Sequence, residues 1–535
     1  MGTFQTGITF KKGILTNGAV LPGQDYISGI IFNNATSLGT LLPLMPSNGI
    51  KECLSIQDAI NVGINGLHAD ETAAVGTYLV TATGSAGNTI SIYVQEPINP
   101  LNTATNPNKV LIATYTVTAA DVSGGVNTLA ASITTAINAN AALNGGYSAT
   151  TSTATVQLKF RPGLGVFPNS GTPITVALTS TGTATTGTLT QPTGSGSTVL
   201  GVASKLDVYY YHVSEYFRMN PNGNLYVMVD TTGASTTTFT SVSTLQTFAQ
   251  GAIRQVAIYN EGRTLVSNIV ADANALNTVC QTLDTNKMPL SALLVEDMSA
   301  VSDLTTLPNL SLLNDEWVSV NISQDGSAQG WALYQAYGKT ISNLGALLGS
   351  VSAVQVSACI AQPIATLNIS NGTENQLPAL GNNTTFASLS TNTTTLLDNY
   401  RYIYAGTYVG YTGTYFSDSH CAIISNSNYA YIEQNRVEAK IERLLYAAYL
   451  PLLKSQLQLN ANGTLFGPLV FSLESVGKNT LNTNMVTQGE LSAVQVIVSP
   501  TQNVTAAGKL VVTVNEINNP IARQIEVDIN SVTTL

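Results

Sequence analysis

Charge is what this sequence has least of. Only 9% of its 535 residues are Asp, Glu, Lys or Arg, and 20 basic residues against 30 acidic ones leave a net charge of −10. No basic run occurs, and basic residues do not interleave with aromatic ones, which speaks against nucleic-acid binding. Three histidines, His68, His212 and His420, are poor material for a His-built metal or catalytic centre. The four cysteines (Cys53, Cys280, Cys359, Cys421) stand far apart in apolar surroundings with no C-x-x-C spacing, so they read as buried free thiols. No apolar run is long enough to span a bilayer, and residues 1–23 lack the apolar segment of a signal peptide. Neither membrane insertion nor general secretion is expected.

Ser, Thr, Asn and Gly supply the polarity that charge does not. With many Thr and Val residues, this favours extended, β-rich structure and close protein–protein contact. The length suggests three or four domains. Residues 1–71 open with a strand arm, in which Ile8 and Phe10 alternate with Thr9 and Lys11. A strand from Tyr26 to Phe32 and a short helix with Ser55 as N-cap follow. Residues 72–204 change character: the charged residues are Glu96, Lys109, Asp121, Lys159 and Arg161. Alternating runs at 89–94, 112–117, 155–160 and 174–178, with a helix carrying Leu129, Ile133 and Ile137, predict an inserted β-rich domain.

From 205 to 400 the pattern becomes α/β. Strands are expected at Leu206–Tyr211, Leu225–Val229, Gln255–Tyr259, Ala292–Val295 and Trp317–Val320. Helices are expected near 243–251 and 264–283, and a small-residue helix at 341–353. Residues 401–500 form a C-terminal core part, with strands after Leu465. Residues 501–535 form a second strand arm, in which Leu510, Val512, Val514 and then Ile525, Val527, Ile529 alternate with polar neighbours. Free strands at both ends of a chain expose unpaired backbone groups that a partner's sheet can take up.

Six of the eleven residues from Glu433 to Arg443 are charged: Glu433, Arg436, Glu438, Lys440, Glu442 and Arg443. Val437, Ile441, Leu444, Leu445 and Ala448 fall at steps of three and four, so the segment 431–445 is expected to be helical with one apolar stripe. Its charges read either as a solvated face or as a face with a specific partner. Other motifs fall short of chemistry. Asp418-Ser419-His420-Cys421 contains triad residue types, but neighbours on an extended chain point to opposite faces. His212 with Glu215 lacks a third group. Gly163-Leu164-Gly165 and Gly477-Lys478-Asn479 lack the rest of a dinucleotide or phosphate-loop fingerprint and read as turns. Glu296-Asp297 ends a buried strand where α/β enzymes bind ligands, yet paired acids alone are weak evidence. No catalytic, cofactor-binding or metal-binding residue is assigned, and no enzyme activity or cofactor is expected.

Several segments together resemble the contractile tail sheath proteins of bacteriophages and phage-tail-like injection systems. They are Gln24–Ile31, Ser55–Ala59, Tyr210–Pro221 with Gly223–Tyr226, Asn343–Ala353, and above all Gly413–His420 leading through Tyr429–Arg436. The resemblance spans roughly 1–68 and 205–535 and leaves the inserted domain outside. It implies an α/β (α+β) sheath core with extended N- and C-terminal strand arms and a peripheral insertion. It also implies a subunit that stacks as hexameric rings around an inner tube and contracts to drive that tube through an envelope. The implied partners are further copies of the chain, the tail tube protein, and baseplate and tail terminator proteins, in a virion assembled in the host cytoplasm. In such a sheath the six charges of 433–443 would face the tube, and Ile8, Phe10, Leu510, Val512, Val514, Ile525, Val527 and Ile529 would form inter-subunit strands. A bacterial injection-system sheath is the alternative within the class. A surface-layer or adhesin-like protein is the alternative outside it.

Overall fold

The computed structural model describes residues 24–102, 104, 108–139, 145–370 and 372–529. Ile8 and Phe10 lie outside these. At the centre is a seven-stranded sheet. Ile27–Asn33 is an interior strand, parallel to Asn224–Asp230 on one side and to the middle strand Gln255–Thr264 on the other. Ser291–Asp297, Val318–Asn321 and Tyr402–Ile403 continue the parallel run, and antiparallel Ile50–Cys53 closes the opposite edge. Both faces are covered, so Ile27–Asn33 is buried at every position, Ser28 and Asn33 included, as its mostly apolar sequence predicts. Ile30 and Phe32 face one apolar cluster, while Ile27 and Ile31 face the other.

The first face is built by a helix where the sequence suggested a strand. Lys205–Met219 is helical, and Leu206–Tyr211 is its first half. The three consecutive tyrosines carry strand propensity, but the N-terminal cap overrides it. Ser204 Oγ accepts from the Asp207 N–H, and Asp70 accepts from Ser204 Oγ and the Lys205 and Leu206 amides. Leu206, Tyr209, Val213 and Tyr216 then repeat at helical steps toward the sheet, with Tyr209 stacked on Phe32 at 4.3 Å. The helix Leu344–Ala353 packs closely against it because Gly345 has no side chain: a Cβ there would sit 2.1 Å from the His212 carbonyl oxygen. Helices Thr240–Phe248 and Leu265–Thr285 cover the other face.

Residues 75–190 make two further sheets, one of four strands and one of three, around the helix Val126–Ala139 and their own apolar cluster. The chain enters and leaves this part through paired backbone, Thr72 with Val202 and Val75 with Val199. The alternating runs read from the sequence are its strands Thr89–Gln95, Lys109–Thr116, Thr155–Lys159 and Ile174–Thr179.

The C-terminal part departs from expectation after Leu465. Gly467–Leu481 is a helix that runs into a wider turn at Asn482–Val486, so Gly477-Lys478-Asn479 lies in a helix and not in a turn. Pro468 starts it, and Leu473, Gly477 and Leu481 form its inner face, where a Cβ on Gly477 would meet the Tyr449 hydroxyl at 2.4 Å. A hairpin of Leu491–Ile497 with Thr513–Asn518 follows, and the expected boundary at 500/501 falls inside its connection. Three expected arm residues are therefore held inside the chain. Leu510 and Val512 pack with Leu465, Leu473 and Val498, and Val514 packs beside Leu491. Their apolar side finds cover within the same subunit. Ile525, Val527 and Ile529 do not: they are 79%, 72% and 89% exposed.

Candidate assembly site at the roots of the two chain ends

The charged segment is the helix Ile432–Tyr449, with Tyr431 extended at its N-cap and Glu433 in its first turn. Val437, Ile441 and Leu444 are buried against Val356, Leu481, Met485 and Leu491, which realises the predicted stripe. The charges do not form a surface. Glu433, Arg436, Lys440 and Arg443 are all at most 5% exposed, so the tube-facing assignment fails for these four. Buried charge persists only where partners compensate it, and the partners come from distant parts of the chain.

Lys440 Nζ lies 2.7 Å from Asp25 Oδ2 and 2.7 Å from Glu490 Oε2, and Arg443 reaches Asp25 Oδ1 at 3.1 Å. Asp25 stands at the root of the N-terminal end, and Glu490 immediately precedes the hairpin. Burial pushes the Asp25 carboxyl up, but Lys440 and Arg443 outweigh it and hold the group below the ordinary aspartate range. At Glu490 burial wins over Lys440, and the carboxyl moves upward. Arg436 donates to the carbonyls of Val354 and Gln355 at 3.3 and 3.4 Å.

The N-terminal turn of the same helix holds the root of the C-terminal tail. Arg523 pairs with Glu433 and, at 2.9 Å, with Asp418 Oδ2. Its guanidinium lies 3.3 Å above the Tyr431 ring centroid, and Ser419 donates to Glu433 at 2.6 Å. One helix thus clamps the residues from which both chain ends depart. Glu438 and Glu442 are half-buried on another side. Glu442 binds Lys287 at 2.7 Å, while Glu438 faces Glu516. Burial, then the neighbouring acids, raises the Glu438 carboxyl to about 7 and the Asp284 carboxyl, beside Glu442, also to about 7.

The remaining motifs resolve into structure. Asp418 binds Arg523, Ser419 binds Glu433, His420 Nε2 meets Asp398 at 2.7 Å, and Cys421 is buried near Asn435, so the four do not converge. His212 is fully buried; burial lowers it to about 3 and keeps it neutral, with Nδ1 accepting from the Gly345 amide. Glu215 pairs with Arg218 at 2.6 Å. The amides of Gly163 and Gly165 donate to the Glu71 carboxylate, so that loop cradles a protein anion. All four cysteines are free and buried.

Glu296 is 1% exposed and faces the Asp272 carboxylate, which Arg263 holds at 2.7 and 2.9 Å. Burial, then Asp272, raises Glu296 to about 10, so it carries its proton at neutral pH. Glu296→Gln is accordingly expected to shift the thermal midpoint little, because the amide keeps the neutral, donating form. Differential scanning fluorimetry checks this, and a loss comparable to a buried-charge deletion would contradict the protonated assignment.

Among the described residues no group of His, Cys, Asp and Glu could hold a metal ion, and no helix is long and apolar enough to cross a membrane. The site residues that sequence reasoning missed are Asp25, Glu490, Asp418 and Arg523. Their one signal was rarity: in so uncharged a chain, each isolated charge is a candidate partner for the charged helix.

The fold is similar to a chain of the contracted sheath complex of PVC, an extracellular contractile injection system, with 14% identity over 61% of this chain and 81% of that one and a TM-score of 0.41. It is also similar to a sheath tail protein from Desulfitobacterium hafniense, with 11% identity over 97% of this chain and 100% of that one and a TM-score of 0.35. A sheath tail protein from Listeria innocua gives 10% identity, 94% and 96% coverage and a TM-score of 0.36. No curated protein matches the sequence. Two family models do: the N-terminal domain of DUF2586 matches residues 63–420, and its C-terminal domain matches residues 428–535. The chain belongs to the DUF2586 family.

Proposed function

We propose that this chain is the sheath subunit of a contractile tail, polymerising as stacked hexameric rings around an inner tube and bounded by baseplate and terminator proteins. The observation that carries the reading is the C-terminal construction. The hairpin Leu491–Ile497 with Thr513–Asn518 is a two-stranded sheet, so each strand has an outer edge without a ladder partner among the described residues. A two-stranded sheet is marginal alone and gains from added strands. The segment beyond Arg523 offers alternating Ile525, Val527 and Ile529, exposed and rooted on the helix that also roots the N-terminal end. A subunit that must stay linked to its neighbours while it moves needs such ends, anchored firmly at the root and engaged in another copy's sheet.

The geometry assigns no tube contact to Glu433, Arg436, Lys440 or Arg443, whose partners are internal. The part formed by residues 75–190 has its own core and joins the rest through paired backbone at 72–75 and 199–202, which suits a peripheral position. Negative-stain electron microscopy of the purified protein tests the function. Striated or cogwheel-ended tubes are expected, and only dispersed particles across a range of salt and protein concentrations would overturn the reading. Removal of residues 73–203 is expected to leave a folded protein that still forms tubes of smaller outer diameter. Loss of folding, read by circular dichroism, would place that part within the core instead.

A further inference from the structure

The amine of Lys440 is held against two carboxyl groups where water has little access. Its Nζ lies 2.7 Å from Asp25 Oδ2, and 3.0 and 2.7 Å from the two oxygens of Glu490. Arg443 donates to the second Asp25 oxygen, Oδ1, at 3.1 Å. Lys440 and Arg443 are 5% exposed and Glu490 is 4% exposed. The other lysines in ion pairs among the described residues are placed differently. Lys205, Lys287 and Lys339 each pair with one carboxylate, and their side chains are 27%, 48% and 40% exposed. A buried ammonium and carboxylate each carry a desolvation cost that their attraction only partly repays. Condensation to an amide and water removes both charges. The distance suits that reaction: with Oδ2 at 2.7 Å, the Asp25 carboxyl carbon is about 3–4 Å from Nζ, near the roughly 3–3.5 Å of an attacking pair.

The two remaining groups supply what the step needs. Attack at the Asp25 carbon builds negative charge on Oδ1, where Arg443 already donates. A proton must leave the ammonium, and protons must reach the departing Oδ2. Burial, against the pull of Lys440, raises the Glu490 carboxyl, whereas Asp25 stays below its ordinary range, so Glu490 is the acid suited to take a proton and pass it on. We propose that Lys440 forms an isopeptide bond with Asp25, with Glu490 as proton shuttle and Arg443 as oxyanion donor. The Nζ–Cγ bond forms and the Cγ–Oδ2 bond breaks. One ammonium hydrogen stays on the amide nitrogen, and two leave with Oδ2 as water by way of Glu490, which ends as it began. The balance needs no further reactant. A cleft of about 430 Å³ at Asp25, Gln355, Gln488 and Glu490 gives the water an exit. The ion pair is the reactant, so Asp25 no longer titrates in chains that have reacted. The bond closes 415 positions of chain and ties the approach to the strand Ile27–Asn33 to the helix Ile432–Tyr449. Tension arriving through the N-terminal end then passes into that helix covalently and does not strip the strand from its sheet. The bond itself stands apart from the sheath reading.

Mass spectrometry of the denatured full-length protein tests it, on fresh samples and after prolonged incubation at physiological temperature. The expected mass is one water below that of the sequence. Trypsin should leave residues 437–443 uncut at Lys440 and joined to the peptide that carries Asp25. The full sequence mass in both samples overturns the inference. So does a missing water without that joined pair, as from an aspartate cyclised elsewhere, and so does an amide from Lys440 to Glu490. Lys440→Arg, which keeps the positive charge, and Asp25→Ala should each keep the full mass. Glu490→Gln should slow bond formation by about a hundredfold or more, because the amide keeps the shape of the side chain but cannot shuttle a proton. Bond formation at the wild-type rate in Glu490→Gln would remove Glu490 from the reaction and overturn the mechanism.

Discussion

Lys440→Met is expected to destabilise the C-terminal part of the molecule by about 3–5 kcal/mol, because it strands the buried Glu490 and leaves Asp25 with Arg443 alone. Asp25 and Glu490 both lie 2.7 Å from Lys440 Nζ, and the methionine keeps the length of the stem but none of its charge. A chain of this size need not unfold in one step, so the effect belongs to a local readout. Amide exchange in Leu491–Ile497 and Ile27–Asn33 should accelerate by about two to three orders of magnitude, while exchange in Val126–Ala139 stays unchanged. The acid response should move as well. Asp25 is held below the ordinary aspartate value in the folded protein, so its stabilising contribution is full above that ordinary value and is lost as pH falls through the depressed one. Removing Lys440 removes the larger attraction that depresses it, and the acid limb of stability should shift to higher pH. Unchanged exchange in the hairpin would show that the ion network is not what holds the C-terminal part to the core.

The same network shows what could and could not be read in the sequence. The helix itself was legible, since Val437, Ile441 and Leu444 repeat at helical spacing and the structure buries that stripe. The environment of its charges was not, because spacing along 433–443 carries no information about partners 50, 90 and 415 positions away. Asp25, Glu490 and Arg523 reach the helix only through the tertiary fold. The parallel strands of the core were legible as continuous apolar runs, and the inserted strands as alternating ones. Lys205–Met219 was misread because Tyr209, Tyr210 and Tyr211 favour strands locally, whereas the cap at Ser204 and Asp70 is partly supplied from 134 residues upstream. Gly467–Leu481 was missed because a helix start at Pro468 and an inner face interrupted by Gly477 make a weak periodic signal. Leu510, Val512 and Val514 alternate as a strand arm would, but alternation does not say whose sheet covers the apolar side.

Ile525→Asp, Val527→Asp and Ile529→Asp together are expected to abolish tubes while leaving the subunit folded. The three side chains are 72–89% exposed, so nothing inside the chain is lost on replacing them, and surface changes of this kind stay within about 0.5 kcal/mol each. Their cost appears only when a neighbouring sheet must bury them, where three carboxylates in place of three apolar side chains carry a desolvation penalty at every inter-subunit contact. Circular dichroism and the thermal midpoint should match the wild type, and micrographs should show single particles. Arg523→Ala makes the complementary cut. It leaves the apolar strip intact but frees its root from Glu433, Asp418 and the Tyr431 ring, so strands can still engage but no longer transmit force to the core. Tubes are then expected to form and to break into short segments under shear or on contraction. If the triple aspartate variant formed normal tubes, the tail would not be an inter-subunit strand, whatever the Arg523 variant did. If Arg523→Ala tubes were as robust as wild type, the clamp at the head of the charged helix would be a fold contact without a mechanical role.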